Sequence, residues 1–559
     1  RGHLQGLLYR LILNSYLCKI HHTNHGPATA RRPHVTALQH GNHTYLTLVS
    51  YLCGRKQRHI KKRIMKRLFS FVYLFVGLLA TACGQSQQQD AKRPKLVVGI
   101  IVDQMRWDYL HYYDYTFGNN GFRRLLSEGY SCDNNQITYV PTVTAVGHSC
   151  VYTGSVPAIT GIAGNDFYKD GKRTYCADDA TVQTVGSESK AGLMSPRNLR
   201  VTTMCDAVKI AQDFKAKTIG VSLKDRGAIM PAGHTANAAY WFDNDHGVFI
   251  TSTYYMKQLP EWVDDFNKAN KQTTDIRYTP KGNTLVADMA IAALNGEQLG
   301  RGTTTDFLAV SFSSTDYIGH RYGTRSPQTE EAYRELDKEI AKLLGALDNA
   351  VGKGNYLLFL SADHAAAHNA ALMQKNGVPA GEWDESTALA DMNGHLKKLY
   401  NTGANLVKDL IEYRVYLDYE AIKAAGRTAD EVEAALCDYI DNDDRVAYAV
   451  PFDKIQSMSI PQAIRERIIN GYNPKRSGDI QIILQPGYYG FDSGSFHEGT
   501  SHGVWCSYDT HIPLIFYGWH VNHGRTSKET HVTDIAATVC SMLDIQSPNG
   551  CVGTPIQMK

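Results

Sequence analysis

Five apolar runs, the first of them rich in β-branched residues, constrain the fold of this chain more than any other feature of its sequence. The first run is LVVGIIV at 96–102, and similar runs lie at 217–223, 305–314, 356–362 and 512–518. An uninterrupted apolar run of this length is typical of a strand buried on both faces of a parallel sheet. Helical patterns separate the runs, most clearly at 326–351. We therefore predict an α/β fold, with a mostly parallel central sheet flanked by helices.

The stretch from about 370 to 495 differs from the rest of the chain. Its strand signals are weaker, and its middle, TADEVEAALCDYI, is helical and charged. We interpret this stretch as a subdomain inserted into the main domain and not as a separate domain. The main domain then spans 96–559 and follows a linker at 84–95.

The segment MKRLFSFVYLFVGLLATACGQSQQQ, which begins at Met65, has the form of a secretory signal. Its apolar run is too short for a comfortable membrane span. The ATAC ending suits ordinary signal cleavage or a loose lipobox, and we favour a lipid anchor on Cys83. We assign 65–83 to the signal and interpret 1–64 as translated upstream sequence. The protein is therefore predicted to be exported, into the periplasm or as a membrane-anchored lipoprotein facing the periplasm or the cell surface.

The net charge of +3 conceals two regions of opposite charge. Residues 1–89 contain 13 of the 58 Lys and Arg and no acidic residue, which leaves 45 basic and 55 acidic side chains in the remainder. An acidic main domain argues against nucleic-acid binding through a basic face. Eight cysteines are scattered from Cys132 to Cys551 without a CxxC pair, so a zinc-thiolate site is not expected. Export favours some disulfides among them, and their pairing stays open.

Carboxylates and histidines follow the predicted strands at the positions where α/β sheets bind ligands. This set comprises Asp103, Asp316, His320, Asp363, His364 and, before the last apolar run, His502. A single aspartate at a strand end often caps the next helix instead. Several such residues together, all of metal-ligand type, indicate a metal site.

The spacing of these residues makes chemical sense. Asp316 and His320 are four residues apart and share one face of a helical turn, while Asp363 and His364 are adjacent where the chain leaves the sheet. Aspartate, histidine and a hydroxyl are ligands that suit zinc. Two such ions about 4 Å apart can lower the pKa of a nucleophile and hold the leaving oxygen of an in-line displacement.

The segment YVPTVTAVGHSCVYTG at 139–154 offers several hydroxyls as candidate nucleophiles, although it could equally be an ordinary buried strand and turn. Asn165, Lys224 and Arg226 supply an amide and two cations that can neutralise the oxygens of a phosphoryl group. Taken singly, the two basic residues would be ordinary surface charges. His148 lies four residues after Thr144 and suggests a hydroxyl–histidine pair, but the sequence shows no acidic partner for it.

Six motifs in this order resemble the alkaline phosphatase superfamily: VDQMRWDYL, PTVTAVGHSCVYTG, AGND, STDYIGHRYG, SADH and TSHGVW. The branch that they resemble most is the PafA-type secreted alkaline phosphatases, whose nucleophile is a threonine. The nucleotide pyrophosphatase/phosphodiesterases share the same metal frame. The resemblance extends from Leu96 to the C-terminus and implies that 96–559 is an alkaline phosphatase-like catalytic domain.

The resemblance also implies a role for each site residue. Thr144, the second threonine of PTVT, becomes the nucleophile that is phosphorylated. One zinc ion is held by Asp103, Asp363, His364 and Thr144, and the other by Asp316, His320 and His502. His497 competes for the last of these positions, and His502 is preferred because the family's ligand precedes a glycine.

Asn165, Lys224 and Arg226 separate the branches, because the phosphodiesterase branch lacks the Lys–Arg pair in this setting. A monoester carries two negative charges on the transferred group and gains more from these cations. We therefore predict a monomeric two-zinc alkaline phosphatase that hydrolyses small-molecule phosphate monoesters through a phosphothreonine. The nearer alternative is a phosphodiesterase or nucleotide pyrophosphatase of the same fold. The more distant one is a non-catalytic surface protein, and another divalent ion could replace zinc in one site.

Overall fold

The computed structural model describes residues 93–491 and 497–558. The upstream segment 1–64, the signal at 65–83 with Cys83, and most of the linker lie outside the described residues. The strands are β1 (Leu96–Val102), β2 (Tyr130–Cys132), β3 (Asn135–Gln136), β4 (Asp166–Lys169), β5 (Lys172–Tyr175), β6 (Thr184–Val185), β7 (Thr218–Ser222), β8 (Ala238–Asp243), β9 (Val248–Ser252), β10 (Asp306–Phe312), β11 (Tyr356–Ser361), β12 (Gly381–Asp384), β13 (Val407–Ile411), β14 (Arg414–Leu417), β15 (Val446–Pro451), β16 (Ile480–Leu484), β17 (Tyr488–Phe491), β18 (His511–Ile512), β19 (Leu514–Gly518), β20 (Gly524–Thr526) and β21 (Thr530–His531).

The described α-helices are α1 (Tyr109–Tyr112), α2 (Phe122–Glu128), α3 (Thr144–Thr153), α4 (Pro157–Thr160), α5 (Met204–Ile210), α6 (Asp225–Ala232), α7 (Glu261–Asn270), α8 (Lys281–Gly296), α9 (Ser314–Tyr322), α10 (Pro327–Ala350), α11 (Ala370–Lys375), α12 (Glu385–Tyr400), α13 (Tyr419–Ala424), α14 (Ala429–Asp441), α15 (Gln462–Gly471), α16 (Ser507–Thr510) and α17 (Asp534–Met542). Short 3₁₀ turns lie at Asp114–Thr116, Pro196–Asn198 and Phe452–Lys454.

Ten strands form the central sheet, in the order β20-β2-β19-β11-β1-β10-β7-β8-β9-β6. The five strands at its centre, β11, β1, β10, β7 and β8, run parallel. Antiparallel pairs appear on either side of this centre, where β19 joins β11 and β9 joins β8. The predicted α/β fold with a mostly parallel central sheet is therefore confirmed.

The apolar runs explain why the centre of the sheet is parallel. All seven residues of β1 are buried, and a strand without an exposed residue needs cover on both faces. Helix α10 matches the pattern seen at 326–351, and it begins where the side chain of Ser326 accepts the N–H of Thr329. Its apolar residues, such as Leu336 and Ile340, are buried in the core.

Two parts of the sheet differ from the apolar pattern. The run at 512–518 is divided at Pro513, which has no N–H to donate to a ladder. Its first part, β18, pairs with β3 in a small sheet, and its second part, β19, runs antiparallel to β11. Strand β8 had no predicted counterpart, because AAYWFD lacks the aliphatic run that marks the other central strands.

A second-sheet region, 381–491, has a sheet and a core of its own. Strands β13, β14, β16 and β15 form a four-stranded antiparallel sheet, and β12 pairs in parallel with β17. A separate cluster of buried apolar side chains, including Leu396, Val415 and Leu436, packs this sheet against its helices. Six strands thus lie in a stretch whose strand signals are weak in the sequence. The bounds of an insertion at about 370 and 495 stay a prediction.

Within the described part of the chain, no helix combines the length and the apolar character that crossing a bilayer requires. The eight cysteines between Cys132 and Cys551 are free thiols, and most of them are buried. The disulfides that export favoured are therefore not present among these described residues. Burial raises the pKa of thiols such as Cys150 to about 12, so they remain protonated and pack as small apolar side chains.

Candidate active site

The carboxyl ends of three neighbouring strands bring the predicted ligands to one edge of the central sheet. Strand β1 ends immediately before Asp103, and its parallel neighbours β10 and β11 lead to Asp316 and Asp363. Asp316 lies in the first turn of α9, and the three carboxylates are buried. The edge therefore collects acidic side chains where ligands bind in α/β sheets.

Asp103, Asp363 and His364 form a first cluster, in which the ligand atoms lie within 4.8 Å of one another. His364 Nε2 is 3.6 Å from Asp103 Oδ1 and 3.5 Å from Asp363 Oδ2. Asp103 Oδ1 and His364 Nε2 are buried and have no hydrogen-bond partner among the described residues, while Asp363 Oδ2 lies 3.2 Å from His148 Nδ1. Because buried polar atoms are normally paired, two unpaired ligand atoms in one cluster fit a bound metal ion.

Asp316, His320 and His502 meet beside the first cluster. Asp316 Oδ1 lies 3.1 Å from His320 Nε2 and 3.5 Å from His502 Nε2. His320 Nδ1 donates to the carbonyl of Thr500 at 2.9 Å, and His502 Nδ1 donates to that of Thr142 at 2.7 Å. With the proton on Nδ1 in each ring, the two Nε2 atoms are the nitrogens available to a metal.

His364 links the two clusters. Its ring stacks on the ring of His502, with 3.6 Å between the centroids. Together with Asp316 and His502 it forms a second group whose ligand atoms lie within 4.8 Å of one another. By distance alone, the histidine that joins Asp316 and His502 is His364, whereas the resemblance implies His320. The division of the six ligands between two ions stays a prediction.

Two further histidines that the sequence raised as candidates have other contacts. The side chain of His497 is 76 % exposed and pairs with Glu382 at 2.9 Å, so the structure brings His502 and not His497 to the clusters. His148 Nδ1 lies 2.9 Å from the carbonyl oxygen of Thr144 and 3.2 Å from Asp363 Oδ2. Asp363 is therefore the acidic neighbour that the sequence did not reveal, and the ring of His148 faces the Thr144 backbone.

Lys224 connects the candidate nucleophile to both clusters. Thr144 is the buried first residue of α3, and Lys224 is the capping residue of α6. The Lys224 ammonium donates to Thr144 Oγ1 at 3.2 Å, to Asp103 Oδ2 at 2.6 Å and to Asp316 Oδ2 at 2.7 Å. The hydroxyl thus lies beside a buried positive charge.

Two local features place Thr144 at this edge. The preceding residue, Val143, is extended, with φ −127° and ψ 160°, so the helix begins at the threonine itself. A Cβ at Gly147 would lie 2.2 Å from the carbonyl oxygen of Asp363, so glycine is needed for α3 to approach the end of β11. The positive end of the helix dipole consequently lies at the Thr144 hydroxyl.

The charges at the sheet edge do not balance. Burial, and next the neighbouring Asp363, raise the pKa of Asp103 above its ordinary value, against the effect of Lys224. Burial alone would lower the pKa of Lys224, but Asp103 and Asp316 hold it above its ordinary value. Three buried carboxylates share this one buried ammonium group. Divalent cations would supply the missing positive charge, and aspartate with histidine is a donor set that suits them.

Asn165 and Arg226 differ in their relation to Thr144. The side-chain oxygen of Asn165 accepts the N–H of Ala145 at 3.0 Å, which places this amide next to the nucleophile. Arg226 lies in the first turn of α6, and its Nη1 donates to the hydroxyl of Tyr175 at 3.0 Å. Its Nε is buried and has no hydrogen-bond partner in the described part of the chain. Asn165 is thus hydrogen-bonded to the Thr144 segment, and Arg226 is hydrogen-bonded to Tyr175.

Gln104 is hydrogen-bonded to both clusters, and it is not among the site residues predicted from the sequence. Its backbone N–H donates to Asp363 Oδ1 at 3.2 Å, and its side-chain Nε2 donates to Asp316 Oδ1 at 2.7 Å. Its φ is 64°, a conformation that costs a non-glycine residue free energy and tends to occur at functional sites. Its position directly after Asp103 is the one signal that could have identified it.

Two carboxylates outside the predicted set also support the site. Asp509 accepts the hydroxyl of Thr142 at 3.1 Å and the N–H of Val504 at 2.9 Å, and burial raises its pKa to about 8. It thereby holds the loop that carries His502. Glu412 reaches the site from the second-sheet region. A cavity of about 250 Å³ opens beside these groups, and its walls include Asn165, His320, His502, Glu382, Glu385 and Glu412.

Known proteins resemble this chain over most of its length. Residues 97–505 match the family described as Type I phosphodiesterase / nucleotide pyrophosphatase. A Myroides odoratus protein named Calcium-transporting ATPase is 48 % identical, over 83 % of this chain and 94 % of its own. Alkaline phosphatase PafA of Elizabethkingia meningoseptica is 45 % identical, over 86 % of this chain and 97 % of its own. These two relatives carry names for different activities.

Solved structures also resemble this chain over most of its length. The crystal structure of wild-type alkaline phosphatase PafA is 44 % identical, covers 83 % of this chain and 98 % of its own, and superposes with a TM-score of 0.80. A second PafA structure, also 44 % identical with the same coverage, has a TM-score of 0.79. That protein is a variant in which a threonine, an asparagine, a lysine and an arginine are replaced.

Proposed function

This chain belongs to the Type I phosphodiesterase / nucleotide pyrophosphatase family and, within it, to the alkaline phosphatases related to PafA, and we propose that it acts through a phosphorylated Thr144. Its activity is the hydrolysis of phosphate monoesters, as predicted from the sequence. The observation that carries the proposal is the Thr144 hydroxyl, buried at a helix N-terminus and 3.2 Å from Lys224 Nζ. An ammonium group and a helix dipole at one hydroxyl both favour its ionised form.

Bound metal ions complete the site in this proposal. Asp103, Asp363 and His364 would hold one ion with Thr144, and Asp316, His320 and His502 would hold the other. We propose zinc for both, because the donors are aspartate and histidine and because Asp103 Oδ1 and His364 Nε2 of the first cluster are buried and unpaired among the described residues. When bound, such ions supply Lewis-acid stabilisation of the attacking and leaving oxygens.

The reaction proceeds in two displacements. In the first, the Thr144 hydroxyl loses its proton to solvent, its oxygen bonds to phosphorus, and the bond from phosphorus to the leaving oxygen breaks. The leaving oxygen keeps the electron pair and departs as an alcohol after taking a proton from solvent. In the second, a water oxygen bonds to phosphorus and gives up a proton to solvent, the bond from phosphorus to Thr144 Oγ1 breaks, and inorganic phosphate is released. Thr144 Oγ1 then takes a proton from solvent. Lys224 remains beside Thr144 Oγ1 in both steps.

Three side chains would stabilise the transferred group. We assign Asn165, Lys224 and Arg226 to its non-bridging oxygens, which carry two negative charges in a monoester and one in a diester. The PafA variant described above replaces the same four residue types that we assign here, namely Thr144, Asn165, Lys224 and Arg226. The cavity beside His320 and His502 would accept the leaving group.

Other parts of the proposal concern the protein outside its site. We propose that the segment 65–83 directs export, with Cys83 as a lipid anchor, and that the mature enzyme is a monomer. The acidic balance of the chain after residue 89 supports a protein that does not bind nucleic acid. Small-molecule phosphate monoesters are then its partners.

The proposal is tested by substrate preference in matched variants. We would measure kcat/KM of the zinc-loaded protein for an aryl phosphate monoester and for its methyl diester, with and without Lys224→Ala. We expect a monoester preference that shrinks in Lys224→Ala, by roughly 10²-fold if one charged donor is lost. A diester preference that is indifferent to Lys224 would contradict the assigned role. Zinc content measured on the same samples shows whether the variant still binds its ions.

A further inference from the structure

The turn between β13 and β14 has a strained backbone. Its two residues, Glu412 and Tyr413, have φ values of 50° and 66°, and Ile411 and Arg414 pair on either side of them. Two-residue hairpin turns of this kind favour Asn-Gly, since both positions require positive φ. Glu-Tyr is therefore an unfavourable choice for the local backbone. Strained residues that persist in a fold often serve a function.

Residues of this turn and of β14 are hydrogen-bonded to the segment that carries Asn165. Both carboxylate oxygens of Glu412 accept the backbone N–H of Asn165, at 3.0 and 3.2 Å. The buried guanidinium of Arg414 donates to the carbonyl of Ala163, two residues earlier. A Cβ at Gly164 would lie 2.2 Å from Glu412 Oε2, so glycine is needed for this close approach. The hairpin thus holds the Asn165 segment at two points.

The turn is itself fixed against the other side of the site. The Tyr413 hydroxyl donates to the carbonyl of His502 at 3.1 Å and accepts the N–H of Gly490 at 2.6 Å. The Tyr413 backbone N–H donates to Glu385 at 3.2 Å. The ring of Tyr413 also stacks near that of Trp383, with 6.2 Å between centroids. Glu412 is therefore presented to Asn165 by a turn with little freedom to move.

We propose that Glu412 is a positioning residue for phosphoryl binding, acting through Asn165; this rests on the proposed role of Asn165. Glu412 fixes the Asn165 backbone, and the N–H of Ala145 occupies the Asn165 side-chain oxygen. The Asn165 side chain also hydrogen-bonds to Glu412, so Glu412 constrains the side chain of Asn165 as well as its backbone. We assign the Asn165 Nδ2 group, held in this way, as a donor to a phosphoryl oxygen near Thr144. A preorganised donor of this kind stabilises charge without reorganisation during the reaction.

A different role for Glu412 would be to set the charge of the cavity. Glu382 offers a matched control, because it lines the same cavity and pairs with His497 instead of Asn165. Removing either side chain removes one carboxylate from the cavity wall. Only Glu412→Ala also removes the acceptor for the Asn165 backbone.

A double-mutant cycle between Glu412 and Asn165 tests the inference. In the zinc-loaded full chain, we would measure kcat/KM for an aryl phosphate and the inhibition constant of inorganic phosphate. We expect Glu412→Ala to weaken phosphate inhibition about tenfold, and less than about twofold when Asn165→Ala is also present. Glu412→Gln keeps one acceptor oxygen and should restore most of the affinity. The effect of Glu382→Ala should be the same in both backgrounds.

Several outcomes would overturn the inference. An equal loss of phosphate affinity from Glu412→Ala in the presence and in the absence of the Asn165 side chain would show that the two residues act independently. A Glu412→Gln variant as impaired as Glu412→Ala would assign the effect to charge. If Asn165→Ala alone leaves phosphate inhibition unchanged, the proposed role of Asn165 fails and takes this inference with it. Thermal unfolding identifies variants that do not fold, and Glu412→Asp, which keeps the charge but shortens the reach, would then replace Glu412→Ala.

Discussion

The edge of the central sheet and the Glu412–Tyr413 turn contribute to one site in opposite ways. At the sheet edge, buried ligand atoms such as Asp103 Oδ1 and His364 Nε2 have no hydrogen-bond partner among the described residues. At the turn, both oxygens of Glu412 accept hydrogen bonds, and the Tyr413 hydroxyl both donates and accepts. The sheet edge leaves polar atoms for ligands, whereas the turn uses its polar atoms to hold neighbouring segments.

This difference separates two tasks within the active site. Residues that bind ions or react must keep unsatisfied groups, and the rigid centre of a parallel sheet can retain such groups in a buried place. Residues that orient them must be satisfied themselves, and they can come from any element that packs nearby. Changes at the sheet edge should therefore abolish chemistry, while changes at the turn should reduce it in steps.

The largest effect that we expect is at the sheet edge. Thr144→Ala removes the attacking oxygen and should lower kcat by at least about 10³-fold, because no other hydroxyl is placed beside Lys224 in the proposed mechanism. Zinc content and the midpoint of thermal unfolding should change little. Steady-state kinetics with an aryl phosphate measures the effect, and undiminished turnover in this variant would contradict the assignment.

A pair of histidine variants tests which side chain of the nearby loop serves the metal site. His502→Ala removes a nitrogen from the second cluster, and we expect kcat/KM to fall by roughly 10²-fold with loss of bound zinc. His497→Ala affects an exposed side chain that pairs with Glu382, and activity should stay within about twofold. Zinc content is measured on the same samples. Loss of zinc in His497→Ala would show that His497, and not His502, is the ligand.

A third comparison concerns the strained residue at the sheet edge. Gln104→Ala and Gln104→Gly both remove the amide that bonds Asp316, so each should lower kcat/KM, by about tenfold for one hydrogen bond to a charged group. Only glycine accepts a φ of 64° without strain. The glycine variant should therefore exceed the alanine variant in unfolding free energy by about 1 kcal/mol. Equal denaturant midpoints would show that the backbone relaxes.

The smallest effect should come from the turn and should depend on pH. Burial raises the pKa of Glu412 from its ordinary 4.5 to about 7. Its ionisation therefore destabilises the fold, an effect absent below pH 4.5 and complete above about pH 7. Glu412→Gln removes this contribution, so its melting temperature relative to the parent should rise from pH 4.5 to about pH 7 and then level off. A difference that does not change with pH would contradict the raised pKa.

The sheet-edge residues could be proposed from the sequence because their positions follow from a general rule. Aspartates 103, 316 and 363 each come shortly after an apolar run, and parallel strands end at the same edge. Histidines beside them then specify metal ligands. The structure brings this set together, and with it Thr144 and Lys224. The bonds of Arg226 to Tyr175 could not be read from residue spacing.

The sequence did not predict the turn, for two physical reasons. Strands β13 and β14 read VKDLI and RVYL, in which charged residues interrupt the apolar pattern. The turn residues Glu-Tyr also lack the turn-forming chemistry of Asn-Gly. Glu412 meets Asn165 across 247 residues of chain, and such a contact depends on how the second-sheet region packs against the catalytic residues. Residue type alone gives no signal of that packing.

The most direct test of this account is to locate the phosphoryl group during turnover. The zinc-loaded enzyme would be mixed with excess aryl phosphate, quenched rapidly in acid, and its peptides mapped by mass spectrometry. We predict one added phosphoryl group, on the peptide that carries Thr144. A phosphoryl group on any other residue would contradict the central claim. So would an unmodified Thr144 peptide together with inversion of configuration at phosphorus, since two displacements give retention.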